Sequence, residues 1–237
     1  MEDDNYRLIT LTNLAYKELT ENCIQSLINI KFSLNKIIIY AMDDQTCNYF
    51  KEKYPTIDVK LNDYINAEEQ KYKKDEWNTV TMQKINIIYK ELHNYEYLIL
   101  FDGDIVFNKI EFKDFLIDKM VANTELDLLG QHEFKNNNSD LICSGFYIVR
   151  SNDNTKKCFD AESCMTNKKY LKNDQDYLNS VRRHLKWQHL PIHLFPNGKY
   201  YYEFHNNKEQ AYIIHFNFLI GTGAKKSRMK CYCKWFL

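Results

Sequence analysis

Short, wholly apolar runs alternate through the first half of the chain with segments whose apolar residues recur at helical spacing. That alternation is the pattern of βαβ units closing a largely parallel sheet. Leu8–Thr12 reads as a first strand and Asn13–Asn29 as the helix after it, with Leu19, Cys23, Ser26, Leu27 and Ile30 on one face. Lys36–Ala41, centred on Ile37, Ile38 and Ile39, predicts a second, fully buried strand, and Asp43-Asp44 beyond it suits a helix cap. Ile57–Leu61 is a short third strand. Thr79–His93 is the clearest helix, striped by Val80, Ile85, Ile88, Tyr89 and Leu92. Asn62–Asn78, between them, is polar, rich in lysine and long enough for a loop to expect a function of it.

After residue 104 the pattern is less regular. Helices are expected at Glu111–Ala122, from about Asn152–Asn154, and at Asp174–Leu185; strands at Leu126–Gln131, Leu141–Arg150 and Ala211–Asn217. Lys135–Asp140 is a low-complexity patch that suits a surface loop, and no repeat or linker divides the chain. The expectation is one α/β domain over residues 1–237, with a nucleotide-binding half at about 6–105 and a second half at about 106–237.

The most informative stretch is Leu98–Phe107, where Asp102-Gly103-Asp104 interrupts two apolar runs. The acids then fall at the end of a buried strand, and open α/β sheets bind ligands outside the carboxyl ends of their strands. Two carboxylates beside a residue without a side chain suit a hard divalent cation that also holds substrate phosphates.

Charge and cysteine usage narrow the field. Lysine plus arginine (32) equals aspartate plus glutamate (32) in 237 residues, so no global positive field favours nucleic acid or an anionic membrane. No apolar run approaches a membrane span, and the start Met1-Glu2-Asp3-Asp4-Asn5 is unlike a secretory signal, which points to a cytoplasmic protein. An excess of Asn, Lys, Ile and Tyr fits an AT-rich source. Cys23, Cys47, Cys143, Cys158, Cys164, Cys231 and Cys233 are odd in number and irregular in spacing, so reduced thiols are expected rather than disulfides. Cys231-x-Cys233 has no matching second pair for zinc, and the sequon Asn137-Asn138-Ser139 has no secretory context.

Three other segments carry candidate chemistry. His215 ends the last apolar strand, where a histidine is either a satisfied core residue or a ligand. Gly221-Thr222-Gly223-Ala224-Lys225-Lys226-Ser227-Arg228 follows, either a solvated basic tail or a flexible loop that closes over a diphosphate. Asn173-Asp174-Gln175-Asp176 opens a helix, which capping alone explains, although the same turn could face sugar hydroxyls. Ser144-Gly145 begins a strand where glycine permits close approach, or simply makes a bulge.

In order, these segments resemble the nucleotide-diphospho-sugar transferases of the GT-A fold related to plant cell-wall xylosyl- and arabinosyltransferases. The likeness runs from Lys84 in the helix before the acids, through Asp102-Gly103-Asp104 and Cys143-Ser144-Gly145-Phe146, to Asp174-Gln175-Asp176-Tyr177-Leu178-Asn179 and Phe195-Pro196-Asn197-Gly198. It closes with His215-Phe216-Asn217 and Gly221 to Lys225. Cys143-Ser144 departs from the family's Asn-Thr at a spot facing the donor sugar.

The resemblance implies a Rossmann-like α/β fold and transfer of a sugar from a UDP-sugar to a hydroxyl of a glycan, protein or small molecule, with retention. Asp102 would meet ribose or metal, Asp104 metal, and His215 would complete a Mn2+ (or Mg2+) site. Thr12, Tyr16 and Asp43 would lie where such folds hold base and ribose; Tyr16 either stacks on uracil or starts the apolar face of its helix. Lys84, Gly103, Ser144, Gly145, Asn217, Gly221, Lys225 and Arg228 would line the donor site, with Asp174, Gln175 or Asp176 at the sugar. A phosphoryl or nucleotidyl transferase and an inactive sugar-nucleotide-binding module are the competing readings.

Overall fold

The computed structural model describes residues 5–70, 75–134, 140–160 and 173–237. The expected surface loop at 135–139, the sequon within it and Cys164 lie outside those residues. A seven-stranded sheet has the order β3-β2-β1-β4-β7-β6-β8, and β5 and β9 form a second, two-stranded sheet. The strands are β1 (Tyr6–Thr12), β2 (Ile37–Ala41), β3 (Asp58–Leu61), β4 (Tyr97–Phe101), β5 (Ile105–Phe107), β6 (Leu128–His132), β7 (Ile142–Arg150), β8 (Trp187–His189) and β9 (Ile213–His215). The described helices are α1 (Lys17–Asn29), α2 (Asp44–Lys53), α3 (Asp75–Glu91), α4 (Glu111–Ala122), α5 (Asp153–Phe159), α6 (Asp174–Val181), α7 (Gly198–Glu203) and α8 (Thr222–Cys231).

β1 pairs in parallel with β2 and β4, and β2 with β3. β7 alone runs against its neighbours β4 and β6, while β6 and β8 are parallel, so the sheet is mixed although mostly parallel. Because β7 lies antiparallel between them, β4 and β6 point the same way, and their carboxyl ends share one edge with that of β1. The order turns back between β1 and β4, the switch point at which a crevice opens in such sheets. Thr12, Asp102 and Gln131 all lie at that edge.

Alternate residues of the central strands feed two cores. Leu8, Ile37, Ile39, Ile99, Phe101 and Ile148 pack with α1, α2 and α4, whereas Ile9, Ile38, Leu98, Leu100, Tyr147 and Val149 pack with α3 and α6. That period-two division is why every position of β2 and β4 is buried and why both read as unbroken apolar runs. A smaller cluster of Leu19, Val106, Ile214, Phe216 and Met229 joins α1, the second sheet and α8.

Several boundaries differ from the sequence expectation for identifiable reasons. α3 begins at Asp75, not Thr79, because the acids Asp75 and Glu76 suit a helix's first turn. The run Leu98–Phe107 is two strands: β4 ends at Phe101, and the chain turns through Asp102–Asp104 to pair β5 with β9. The last strand is only Ile213–His215, and α6 passes into a 3-10 turn at Arg182. The glycine-bearing tail is helix α8 rather than a flexible loop, because Met229 and Lys225 lie one turn apart and both face inward.

Candidate functional site

Asp102 is held at its place by a backbone hydrogen bond donated from its N–H to the Gly145 carbonyl, 2.9 Å. Asp104 follows the turn and is buried, as is His215, which faces it from β9 through the Ile105–His215 pairing. His215 Nε2 lies 3.2 Å from Asp104 Oδ1 and 3.9 Å from Asp102 Oδ2. One ligand atom from each of the three residues falls within 4.8 Å of the others. Two carboxylate oxygens and an imidazole nitrogen so placed form a donor set suited to a transition-metal cation that keeps open positions for phosphate oxygens and water.

Gly145 is what lets the three meet. A Cβ there would strike His215 Cε1 and stand 2.8 Å from Asp102 Oδ2 and 2.9 Å from His215 Nε2. The close approach at this position is therefore first one of protein side chains, whatever ligand follows. Gly103 serves a different neighbour: a Cβ would run into the Thr20 hydroxyl and crowd the α1 backbone at 3.3 Å.

Two lysines occupy the outer oxygens of the acids. Lys84 Nζ lies 2.6 Å from Asp102 Oδ1 and 3.0 Å from Asp174 Oδ2, bridging the turn to the start of α6. Burial alone would lower the pKa of this ammonium, but the two carboxylates outweigh it and raise it above the usual lysine value. Lys225 Nζ lies 2.8 Å from Asp104 Oδ2. Its pKa too is raised by Asp104 against the effect of burial. Burial opposes charge on Asp104, yet Lys225 and His215 hold its carboxyl far below the usual carboxylate range.

α6 is anchored to β7 by Asn179, which accepts from Ile142 N–H at 2.9 Å and donates to Ile142 O at 2.8 Å. One turn earlier Gln175 Oε1 accepts from Ser144 N–H at 3.4 Å. Asp174 is buried and faces Lys84, whereas Asp176 is exposed and accepts from its own cap residue Asn173. Of the three α6 candidates, Asp174 and Gln175 thus join the site and Asp176 does not.

The tail closes the other side. Gly221, at φ +85°, precedes α8, and Glu69 caps that helix by accepting from Thr222 N–H at 2.9 Å. Arg228 lies over the Tyr202 ring, 4.7 Å from its centroid, and Lys225 is 5.6 Å from that of Tyr16. Burial raises the Tyr16 phenol's pKa, with the acids adding to it. Asn217 accepts from Gly198 N–H at 2.7 Å and lies 3.6 Å from Cys143 Sγ.

The strand-end candidates are tied to structure. The Thr12 hydroxyl accepts from Thr20 at 2.8 Å. Asp43 caps α2 through Thr46 N–H at 2.7 Å and accepts from Leu14 N–H at 2.8 Å with its other oxygen, locking two loops together.

Residues 33–229 match the model of the nucleotide-diphospho-sugar transferase family. The chain belongs to that family. A UDP-galactose:fucoside alpha-3-galactosyltransferase of Dictyostelium discoideum is 22% identical over 99% of the chain, which spans 43% of that relative's length. Among solved structures, a glycosyltransferase involved in glycosylation of the major capsid of PBCV-1 aligns over 95% of this chain and 98% of its own, at 12% identity and TM-score 0.58. The apo form of mouse xyloside xylosyltransferase 1 covers 90% of this chain and 98% of its own, at 11% identity and TM-score 0.53. The fold of this transferase is GT-A.

Residues that sequence reasoning did not single out complete the transferase's site. Gln131 and Asn179 hold His215 and α6, and Glu69 caps α8. Asn179 stood in a quoted motif; Gln131 carried no signal beyond ending a strand. Among the described residues no helix is long and apolar enough to cross a membrane, and Cys231 and Cys233 are exposed free thiols.

Proposed function

We propose that this transferase moves a sugar from a UDP-sugar to a hydroxyl acceptor, with retention of configuration and with a divalent cation, Mn2+ or Mg2+. The observation that carries the reading is the convergence of Asp102, Asp104 and His215 beside the switch point of the sheet. Those three residues would hold the ion, which when bound supplies a Lewis acid for the negative charge developing on the departing diphosphate. The galactosyltransferase relative, named for a UDP-sugar, supports the nucleotide.

The chain's own groups supply the rest. Lys225, whose ammonium lies beside Asp104, adds a cation for the diphosphate and can form charge-assisted hydrogen bonds to it. Lys84 couples the cation side of the site to the sugar side, since it touches both Asp102 and Asp174. Gln175, held against Ser144, lines the face on which an acceptor hydroxyl would enter beside the leaving group. Asp174, the α6 carboxylate that joins the site, is already paired with Lys84. That favours front-side attack over a double displacement. Water exclusion and alignment of donor with acceptor supply the remainder of the rate.

A panel of UDP-sugars incubated with and without Mn2+ tests the reading by UDP release, and NMR of the product gives its anomeric configuration. Metal-stimulated release from one donor is the expected result. Release indifferent to metal, or an inverted product, would overturn the metal or the stereochemical assignment respectively.

A further inference from the structure

We infer that Gln131 is a positioning residue that keeps a proton on Nδ1 of His215 and so turns Nε2 toward Asp102 and Asp104 as the nitrogen a cation would take. Gln131 is fully buried at the end of β6. Its amide nitrogen lies 3.2 Å from the Phe195 carbonyl and 3.0 Å from the Pro196 carbonyl. Neither oxygen has a hydrogen to give, so the NH2 must face them and Oε1 must face the imidazole. His215 Nδ1 lies 2.8 Å from that Oε1. An acceptor at this distance requires a proton on Nδ1, and a neutral imidazole with its proton there offers Nε2 as a ligand.

At Nδ1 the arrangement reads in one direction only. Turning the amide over would set Oε1 against two carbonyl oxygens, and taking the proton off Nδ1 would set two lone pairs together, both at a fully buried side chain. Cys143 Sγ, 3.6 Å from Nδ1, is within reach for sulfur but is a weaker acceptor than Oε1. The Pro196 carbonyl also accepts from the His215 backbone N–H at 3.2 Å, so one oxygen registers both the histidine's main chain and the glutamine that orients its ring. A ring partner of this kind conserves ligand orientation and raises ligand basicity at metal sites.

The inference rests on the proposed cation site, and its test separates the two. In metal-free protein with 15N-labelled histidine, long-range 15N–1H NMR reads the tautomer directly, with His215 assigned by its loss in His215→Ala. Mn2+ affinity is measured by the electron paramagnetic resonance of free ion. Gln131→Met keeps length and burial but removes the acceptor; it is expected to lose the Nδ1–H signature and weaken Mn2+ binding by about 10–100-fold. Gln131→Glu still offers an oxygen to Nδ1–H and should stay within a few-fold of wild type.

A wild-type spectrum with no proton on Nδ1 overturns the inference, as does Mn2+ affinity in Gln131→Met within about twofold of wild type. Equal losses in the two variants would assign the effect to packing and overturn it as well. If instead the wild type binds no Mn2+, or His215→Ala binds as tightly as wild type, the cation site itself falls, whatever the tautomer. The wild-type spectrum decides the tautomer even if a variant fails to fold.

Discussion

Replacing Lys84 with methionine tests how the site is held together. The substitution keeps the buried aliphatic stem and deletes only the ammonium that lies 2.6 Å from Asp102 and 3.0 Å from Asp174. Asp174 is left buried, its side chain 4% exposed, while Asp102 at 28% can still be partly solvated. Removing one partner of a buried ion pair typically costs 3–5 kcal/mol, and the exposure of Asp102 puts this case at about 3 kcal/mol. For a domain of this size that is a fall of about 6–12 °C in Tm. Because the folded pKa of Lys84 is raised, its contribution is full below the unfolded value of 10.5 and erodes only as pH climbs through the folded one. The deficit should therefore be flat between about pH 6 and about pH 9. Urea titrations of wild type, Lys84→Met, Asp174→Asn and the double variant, followed by circular dichroism, measure the coupling directly. Asp174→Asn should recover at least about 1 kcal/mol in the Lys84→Met background. A single variant within about 1 kcal/mol of wild type, or additive losses, would refute the bridge as a structural tie.

Other outcomes follow from the same geometry. Gly145→Ala sets a methyl between the ligand atoms of Asp102 and His215 and should lower Mn2+ affinity at least about 10-fold, read by titration calorimetry. Lys225→Ala removes one charge-assisted hydrogen bond to the donor and should cut kcat/KM for the preferred UDP-sugar by about 10–100-fold; an unchanged value would remove Lys225 from the diphosphate site. Glu91 is buried and bonded to Tyr40 and Lys60; burial works against its charge, but these partners hold its pKa below 4.5. Its stabilisation is present above pH 4.5 and lost as pH falls through the lower folded value, so Glu91→Gln should destabilise at neutral pH and match wild type in strong acid.

What was legible in the chain follows from how local each determinant is. β2 and β4 announce themselves because burial on both faces forces unbroken apolar runs, and the acids after β4 inherit their place from it. Gly221 and Gly223 argue for a loop, whereas helix α8 is decided by distant partners: the cluster Met229 shares with Leu19, the Lys225–Asp104 pair, and the Glu69 cap. The antiparallel run of β7 was equally unreadable, since an apolar strand has the same pattern in either direction. Gln131 marks the limit most clearly. A glutamine at a strand end carries no chemistry by itself; it acquires one only where the Phe195 and Pro196 carbonyls, more than sixty residues away, claim its nitrogen and leave its oxygen for His215. A motif can therefore name the ligands of such a site, but the proton that makes one of them a ligand is set by tertiary packing.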